Sequence, residues 1–363
     1  MRLDWLSLAG FRSYAQLDWR PEAGVNLLVG RNGAGKSNLM ESIGYLATLK
    51  SFRGSPDEAL VGYDLDSAYV RGEIFSDDVG SLIEIEIRRR GGRRAMVNKG
   101  RLARAADLLG HVRAIAFLPE DLDIVKRGPD QRRQFLDDVA VQLAPTAHLD
   151  QAEFDRALRQ RNAFLKQRAD DEATLSVWDE RLAQAGGKVM ARRSRAASEL
   201  ARPLADAYRS IAGEAPEVVI GYQSTWGGGL DPTVPASTFT ERLTEALANS
   251  RRADRERGVT TVGPHRDEPV ILLDGHDLRH HGSQGEQRTT ALSMRLATHH
   301  AVSDRVGVAP LLLLDDVFSE LDPQRAEALA ASLPDTQTLI TTADRGDVPI
   351  DGRVWSVTGG ELT

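Results

Sequence analysis

Cysteine is absent from all 363 residues of this chain. A disulfide framework, a thiolate metal site and a cysteine nucleophile are therefore excluded. Such usage suits a reducing, cytoplasmic setting. Long apolar runs are missing too. The longest, Val306 to Leu314, falls far short of the roughly 20 residues a membrane helix needs. The opening MRLDWLSLAGFRSY places charges where a signal peptide needs an apolar stretch. The expectation is a cytoplasmic protein with no membrane partner. No internal repeat or low-complexity segment occurs, and no heptad persists long enough for a long coiled coil. Net positive charge is lacking as well: the formal charge is −7, with Lys+Arg 46 against Asp+Glu 53. Phosphate contacts need cations, so the sum argues against a nucleic-acid partner. Where the charges sit matters more. Arg88, Arg89, Arg90, Arg93 and Arg94 cluster, as do Lys126, Arg127, Arg132 and Arg133, and again Arg192, Arg193 and Arg195. An arginine- and alanine-rich usage is equally what a GC-rich coding sequence produces.

What is present reads as a split α/β protein. Leu3 to Leu8 alternates, and Val25 to Val29 is a continuous apolar run, as in a strand buried on both faces. Leu39, Ile43 and Leu46 then recur at helical spacing. Between Tyr69 and Val97 the period is two, with a turn at Arg90 to Gly92, which predicts antiparallel strands. From Gln131 to Ile211 helical stripes take over: Phe154, Leu158 and Leu165, then Leu182 and Val189, then Leu200, Leu204 and Tyr208. Asp170-Asp171 and Gly186-Gly187 are expected to break this region into separate helices. A loop is expected from Trp226 to Pro235 and a helix over Phe239 to Leu247. Strands at Val270 to Leu273, Leu311 to Leu314 and Thr338 to Thr342 alternate with helices at Gly285 to Ser303 and Pro323 to Ser332. The simplest organisation is a sheet drawn from both ends of the chain, with helices inserted between. The expected division is one discontinuous lobe, residues 1–128 and 258–363, and a mainly helical lobe, residues 129–257.

Between the apolar strand and the first helix stands GRNGAGKS, which fits G-x-x-x-x-G-K-[ST] at Gly30, Gly35, Lys36 and Ser37. Glycines let successive amides turn inward toward phosphate oxygens, and the following helix adds the partial charge of its N-terminus. Lys36 would meet the β- and γ-phosphates, and Ser37 would offer a hydroxyl to Mg²⁺. Gly30, Arg31, Asn32, Gly33, Ala34, Gly35, Lys36, Ser37 and Asn38 are thus the expected ATP contacts.

LLLLDD, Leu311 to Asp316, is an apolar strand ending in two acids. Asp315 is placed to hold Mg²⁺ and Asp316 to polarise the attacking water. The catalytic set is then Lys36, Asp315 and Asp316, with Ser37 and Asp315 at the metal. In GSQGEQ, Gly282 to Gln287, Ser283 and Gly285 open a helix whose free amides form an anion site. A chain with one complete phosphate loop has no need of a second such site for the same nucleotide. This one is explained either as an ordinary N-capped helix or as a cap on ATP held by another copy.

Taken together, the phosphate loop, SQGEQ, LLLLDD and SELD resemble the ABC ATPase head family, in the branch shared with SMC-type proteins. That resemblance implies an α/β head with an antiparallel β-subdomain, an inserted helical lobe and no long coiled coil. It also implies a homodimer that sandwiches ATP, with Ser283, Gln284, Gly285, Glu286 and Asp322 reaching the nucleotide in trans. Two positions depart from the pattern. The switch after the last strand is usually histidine, and ITTAD offers Thr341 and Thr342; the Q-loop glutamine is replaced within FLPED, where Glu120 is the candidate. Aspartate rather than glutamate at position 316 implies slow turnover.

FRSY (Phe11 to Tyr14), GRNGAGKSNLMESIGYLATLKSFR, FLPEDLDIVKRGPDQRRQFLD, GPHRDE and LLLLDDVFSELDPQR narrow the match. In order and spacing they resemble the bacterial RecF family over almost the whole chain. That family implies an ATP-dependent DNA-binding mediator in DNA repair, recombination, replication restart and the SOS response. Its members act with RecR and RecO at junctions of single- and double-stranded DNA, help to load RecA, and hydrolyse ATP weakly. Two rivals stand beside it: a transport-coupled ABC subunit, and a phosphate-loop kinase, in which GSQGEQ and SELD would have no role.

Overall fold

The structure, a computed structural model, describes residues 1–167, 171–213 and 216–363. Two compact units are present, one comprising Met1–Asp121, Ser210–Gly213 and Thr298–Thr363, the other Leu122–Arg209 and Glu214–Ala297.

The first unit opens with β1 (Arg2–Phe11), β2 (Tyr14–Trp19), β3 (Val25–Val29) and α1 (Lys36–Thr48). There follow β4 (Ser67–Ser76), β5 (Val79–Arg88), β6 (Arg93–Val97), β7 (Gly100–Arg101) and β8 (Ala114–Phe117). An antiparallel sheet runs β2-β1-β4-β5-β6-β7. Its period-two sequence does what that period requires: Ile83, Ile85 and Ile87 are buried while Glu84 and Glu86 between them stay partly solvated. The turn expected at Arg90 to Gly92 is present, with Gly91 and Gly92 at φ 99 and 75.

The second unit contains α2 (Leu122–Lys126), α3 (Pro129–Leu143), α4 (Ala147–Lys166) and α5 (Glu172–Ala212), the last running into the first unit at Ser210. It continues with β9 (Val218–Ser224), β10 (Gly228–Gly229), α6 (Ala236–Arg257), β11 (Glu268–Leu273), β12 (His276–Asp277) and α7 (Leu278–His281). The chain returns to the first unit within α8 (Gln284–Val306). There it completes the parallel sheet with β13 (Leu311–Asp315), α9 (Pro323–Ser332), β14 (Thr338–Thr342), β15 (Arg353–Thr358) and β16 (Glu361–Leu362).

That second sheet has the order β16-β15-β3-β14-β13-β8 and is parallel from β15 to β8. It is drawn from both ends of the chain, as expected. Its central strands are buried because both faces are covered: β13 is apolar up to Asp315, and β14 carries three buried threonines, Thr338, Thr341 and Thr342. On one face α1 supplies Leu39, Met40, Ile43 and Leu46 to a core shared with Leu3, Leu6, Leu8, Leu311, Leu313 and Leu339. Register sets Thr341 beside both Asp315 and Leu28, and Thr342 beside Val29. The carboxyl ends of β3, β14 and β13 therefore finish level, the edge at which open α/β sheets bind ligands.

In the second unit β11 pairs with β9, and residues 258–297 belong to that unit. Gly186-Gly187 does not end a helix: α5 runs unbroken for 41 residues. The glycines serve close approach instead. A Cβ on Gly186 would lie 2.5 Å from Leu243, and one on Gly187 would lie 2.7 Å from the Thr240 amide nitrogen and 3.0 Å from the Ala236 carbonyl of α6. Asp170 lies outside the described residues, while Asp171 accepts from the Thr174 amide at 3.0 Å, at the start of α5. The stripe Phe154–Leu165 also carries a charge inward: Arg161, fully buried, reaches Asp179 and Asp254, each at 2.7 Å.

Alanine is a better helix former than glycine by about 1 kcal/mol. Gly187→Ala should nevertheless destabilise the protein, by about 1–3 kcal/mol, because the clash is with backbone that cannot rotate away. Urea unfolding monitored by circular dichroism tests this; a gain in stability would refute the close-approach argument.

Candidate functional site

At the level edge of the parallel sheet, the loop after β3 turns through Gly33 and Gly35, both at positive φ (84 and 110). The Gly30 amide is tied to the Thr342 carbonyl at 3.2 Å, and a Cβ on Gly30 would strike the Val357 carbonyl. α1 then begins at Lys36 with no side chain capping it, so its first-turn amides remain available. The loop and helix start border a cavity of about 250 Å³ with Asn32, Arg53, Asp316 and Thr341. Lys36 Nζ donates to the carbonyls of Gly30 at 2.5 Å and Arg31 at 3.2 Å, folded back over the loop it belongs to. Burial holds its pKa below the ordinary lysine value, with Asp316 and Asp315 pulling the other way.

The carboxylates come from the neighbouring strand end. Ser37 Oγ donates to Asp315 Oδ1 at 2.8 Å, across 278 residues of sequence. The same oxygen accepts the Thr341 hydroxyl at 2.6 Å. Asp316 sits in the left-handed region (φ 53), a conformation that aspartate tolerates better than longer side chains. Its amide donates to Thr341 Oγ1 at 2.9 Å, while its Oδ1 is buried with no hydrogen-bond partner. Hydroxyl and carboxylate oxygens alone suit a hard cation. No group of three His, Cys, Asp or Glu converges among the described residues. That is the donor set of Mg²⁺ held by one or two side chains together with phosphate, not of an all-protein cage. Ser37 and Asp315 fit this role.

A support that spacing did not reveal lies beneath the loop. Arg12 grips Glu41 of α1 through two bonds, 2.8 Å and 2.9 Å, and Glu41 also accepts from Ser51 at 2.5 Å. Tyr14 donates its hydroxyl to the Gly35 carbonyl at 3.1 Å, and Asn38 donates to Ser13 at 2.9 Å. Residues of FRSY thus hold the phosphate loop and its helix from the antiparallel sheet. Arg53, which borders the cavity, bonds Asn38 at 3.0 Å.

Ser283 precedes α8 in the second unit. Its amide donates to the Glu286 carboxylate at 2.7 Å, and the Glu286 amide donates back to Ser283 Oγ at 3.3 Å, a reciprocal capping box. Ser283 and Gln284 are exposed and Gly285 half-buried, while Gln287 is buried against the Leu278 and Gly282 carbonyls. Asp322 caps α9, accepting from the Arg325 amide at 3.0 Å. Glu120 lies exposed in a short 3-10 turn.

Most side chains of the basic clusters are engaged within the fold, while Lys126 stands exposed and Arg127, also exposed, pairs with Asp123. Arg132 is buried, donating to the Pro269 carbonyl and Glu268, and Arg133 is tied to Asp130 and the Asp267 carbonyl. Arg193 is buried against Asp137 and Arg192 pairs with Asp150, leaving Arg195 exposed. In the first cluster Arg88 and Arg94 share Glu86, Arg93 pairs with Asp57, and Arg89 binds the carbonyls of Val61, Gly62 and Leu65. Arg90 stands exposed at the turn.

Residues 2–354 match the RecF/RecN/SMC N terminal domain family. The chain is 39% identical to the DNA replication and repair protein RecF of Arthrobacter sp. (strain FB24), covering 99% of this chain and 98% of that one. It belongs to the RecF family. A RecF of Frankia alni is 40% identical over the whole of this chain and 99% of its own. Two solved structures of the recombination mediator protein RecF in the RecFOR pathway, one of them RecF-ATP, superpose with TM-score 0.91 at 30% and 32% identity, covering 97% of each neighbour. An Smc head superposes at TM-score 0.55 and 15% identity, which extends the head fold alone. The fold is thus that of an ABC/SMC-type ATPase head, and among the described residues no helix is long and apolar enough to cross a membrane.

Removing the arginine from a buried pair strands the partner charge. Arg12→Ala should cost about 3–5 kcal/mol, and the double change Arg12→Met with Glu41→Met should recover most of it. Denaturant melts of the three proteins decide this; equal stability of Arg12→Ala and wild type would dismiss the brace.

Proposed function

We propose that this protein is an ATP-dependent DNA-binding mediator of recombinational repair and replication restart, working as a slow ATPase. The observation that carries the reading is the meeting of Ser37 and Asp315 at 2.8 Å beside a glycine-turned loop with open helix amides. The loop of residues 30–38 cradles the phosphates with the amides that its turns leave unpaired, and Lys36 leaves the Gly30 carbonyl to take the β- and γ-oxygens. Ser37 and Asp315 hold Mg²⁺, which when bound offsets charge on those oxygens. Asp316, with one buried oxygen left unpaired, accepts a proton-side contact from the attacking water. Its side chain is one methylene shorter than glutamate, which loosens that alignment and slows hydrolysis.

The second half of the site comes from another copy. Ser283 hydroxyl with the Gln284 and Gly285 amides caps the γ-phosphate in trans, Glu286 fixes the serine through the capping box, and Asp322 lies at the same interface. In this functional sense residues 258–363 work with residues 1–128 as one ATPase lobe, and residues 129–257 are the helical lobe. ATP closes a homodimer on DNA at a single/double-strand junction, where with RecR and RecO it helps to load RecA. The full-length likeness to RecF proteins supports this reading. Of the basic groups, the hairpin tip at Arg90, with Arg94, is the DNA contact we favour, because the Lys126–Arg133 group is largely engaged within the fold.

Solution mass with ATP and Mg²⁺ should double that of the nucleotide-free protein, and Lys36→Met should abolish the change. Ser283→Arg should bind ATP yet remain monomeric. A mass indifferent to nucleotide would sink the clamp. On the dimer, Arg90→Glu with Arg94→Glu should weaken DNA binding by fluorescence anisotropy and lower its salt dependence.

A further inference from the structure

Threonine stands where ABC ATPases usually carry the histidine that senses the γ-phosphate. Its bonds say what it does instead. A hydroxyl has one proton and two lone pairs. The proton of Thr341 lies on Asp315 Oδ1, 2.6 Å away, and one lone pair takes the Asp316 amide at 2.9 Å. The residue is 1% exposed and sits in the middle of a parallel sheet, paired with Asp315 on one side and Leu28 on the other. While Asp315 holds that proton, Thr341 has none to give a phosphate. Thr342 is no better placed: its hydroxyl donates to the Asp344 carbonyl at 2.7 Å and accepts from the Asp344 amide at 3.2 Å.

We infer that Thr341 is a positioning residue for the acidic pair: one hydroxyl orients Asp315 and, at the same time, holds Asp316 in its left-handed turn. The two acids are consecutive, and side chains alternate faces along a strand, so bringing Asp316 to the cavity while Asp315 meets Ser37 takes a sharp turn of the backbone at the strand end. Asp316 at φ 53 makes that turn, in a region few non-glycine residues adopt. Its amide bond to Thr341 is what the turn leans on. The bond to Asp315 occupies Oδ1 together with Ser37, which leaves Oδ2 as the oxygen for the metal's shell. Side-chain sensing by β14 is then absent from this protein, and the acids are set before nucleotide arrives.

The inference rests on the ATPase reading, and the test separates the two. Thr341→Val keeps the shape and removes both bonds. Its kcat should fall roughly 10- to 100-fold, while affinity for ATP without metal stays little changed, because the phosphate loop is untouched. Affinity for Mn²⁺ in the presence of a non-hydrolysable ATP analogue, read by electron paramagnetic resonance, should weaken by about tenfold. Thr341→Ser should restore both. Should the valine variant not fold, Thr341→Cys, whose thiol is a weak donor, carries the same expectations. A wild type that turns over ATP while Thr341→Val matches it in kcat and Mn²⁺ affinity overturns the brace alone. A wild type that neither binds nor hydrolyses ATP overturns the site reading and the brace with it.

Discussion

Ser37 from α1 and Thr341 from β14 reach the same atom, Asp315 Oδ1, at the end of β13. That three-way junction depends on the parallel sheet and cannot exist without it. The strands must be adjacent, in the observed register, for a residue near position 37 to find one near 315. The apolar burial of β3, β13 and β14 supplies the energy; the hydroxyl–carboxylate contacts supply only direction. The junction is polar and largely buried at the carboxyl ends of the strands, where Ser37 and Thr341 border the cavity.

Charge in this chain is used mostly against itself. Arg12 with Glu41, Arg161 with Asp179 and Asp254, and Arg193 with Asp137 are buried or nearly so. Removing either member of such a pair costs more than the pair contributes. Much of the arginine excess therefore specifies packing. The acidic net charge and a DNA partner are compatible only if a few exposed groups act together, which is what a symmetric pair of copies would achieve.

How far the residues alone revealed this differs by element. Among the parallel strands, β3 and β13 were legible because a strand covered on both faces is mostly apolar, and the loop after β3 because its glycines, lysine and serine fit a phosphate-loop spacing; β8 and β15 were not, since Ala114–Phe117 is only four residues long and Arg353–Thr358 is mostly exposed. The double glycine in α5 misled, since a helix break and a close helix crossing call for the same residue. Arg132 and Arg193 misled because a run of like charges in sequence carries no sign of the distant carboxylate or carbonyl each will meet. The brace from Arg12 and Tyr14 left no periodic trace at all: its partners, Glu41 and the Gly35 carbonyl, are related to it only through the folded sheets. The likeness to the RecF family drew attention to FRSY as a block but not to what its side chains touch.

The parallel sheet interleaves the two ends of the chain, with β3 lying between β14 and β15. Gln337 clasps both the amide and the carbonyl of Leu3, and the N-terminal ammonium meets the Ala309 carbonyl. During synthesis, therefore, β3 emerges with neither neighbour yet made and must wait for Thr338–Thr342 and Arg353–Thr358. Contacts so distant in sequence form slowly. In the interval an apolar strand with two unpaired edges is a target for aggregation, so a chain cut short before β14 would carry the phosphate loop on a strand with no partner.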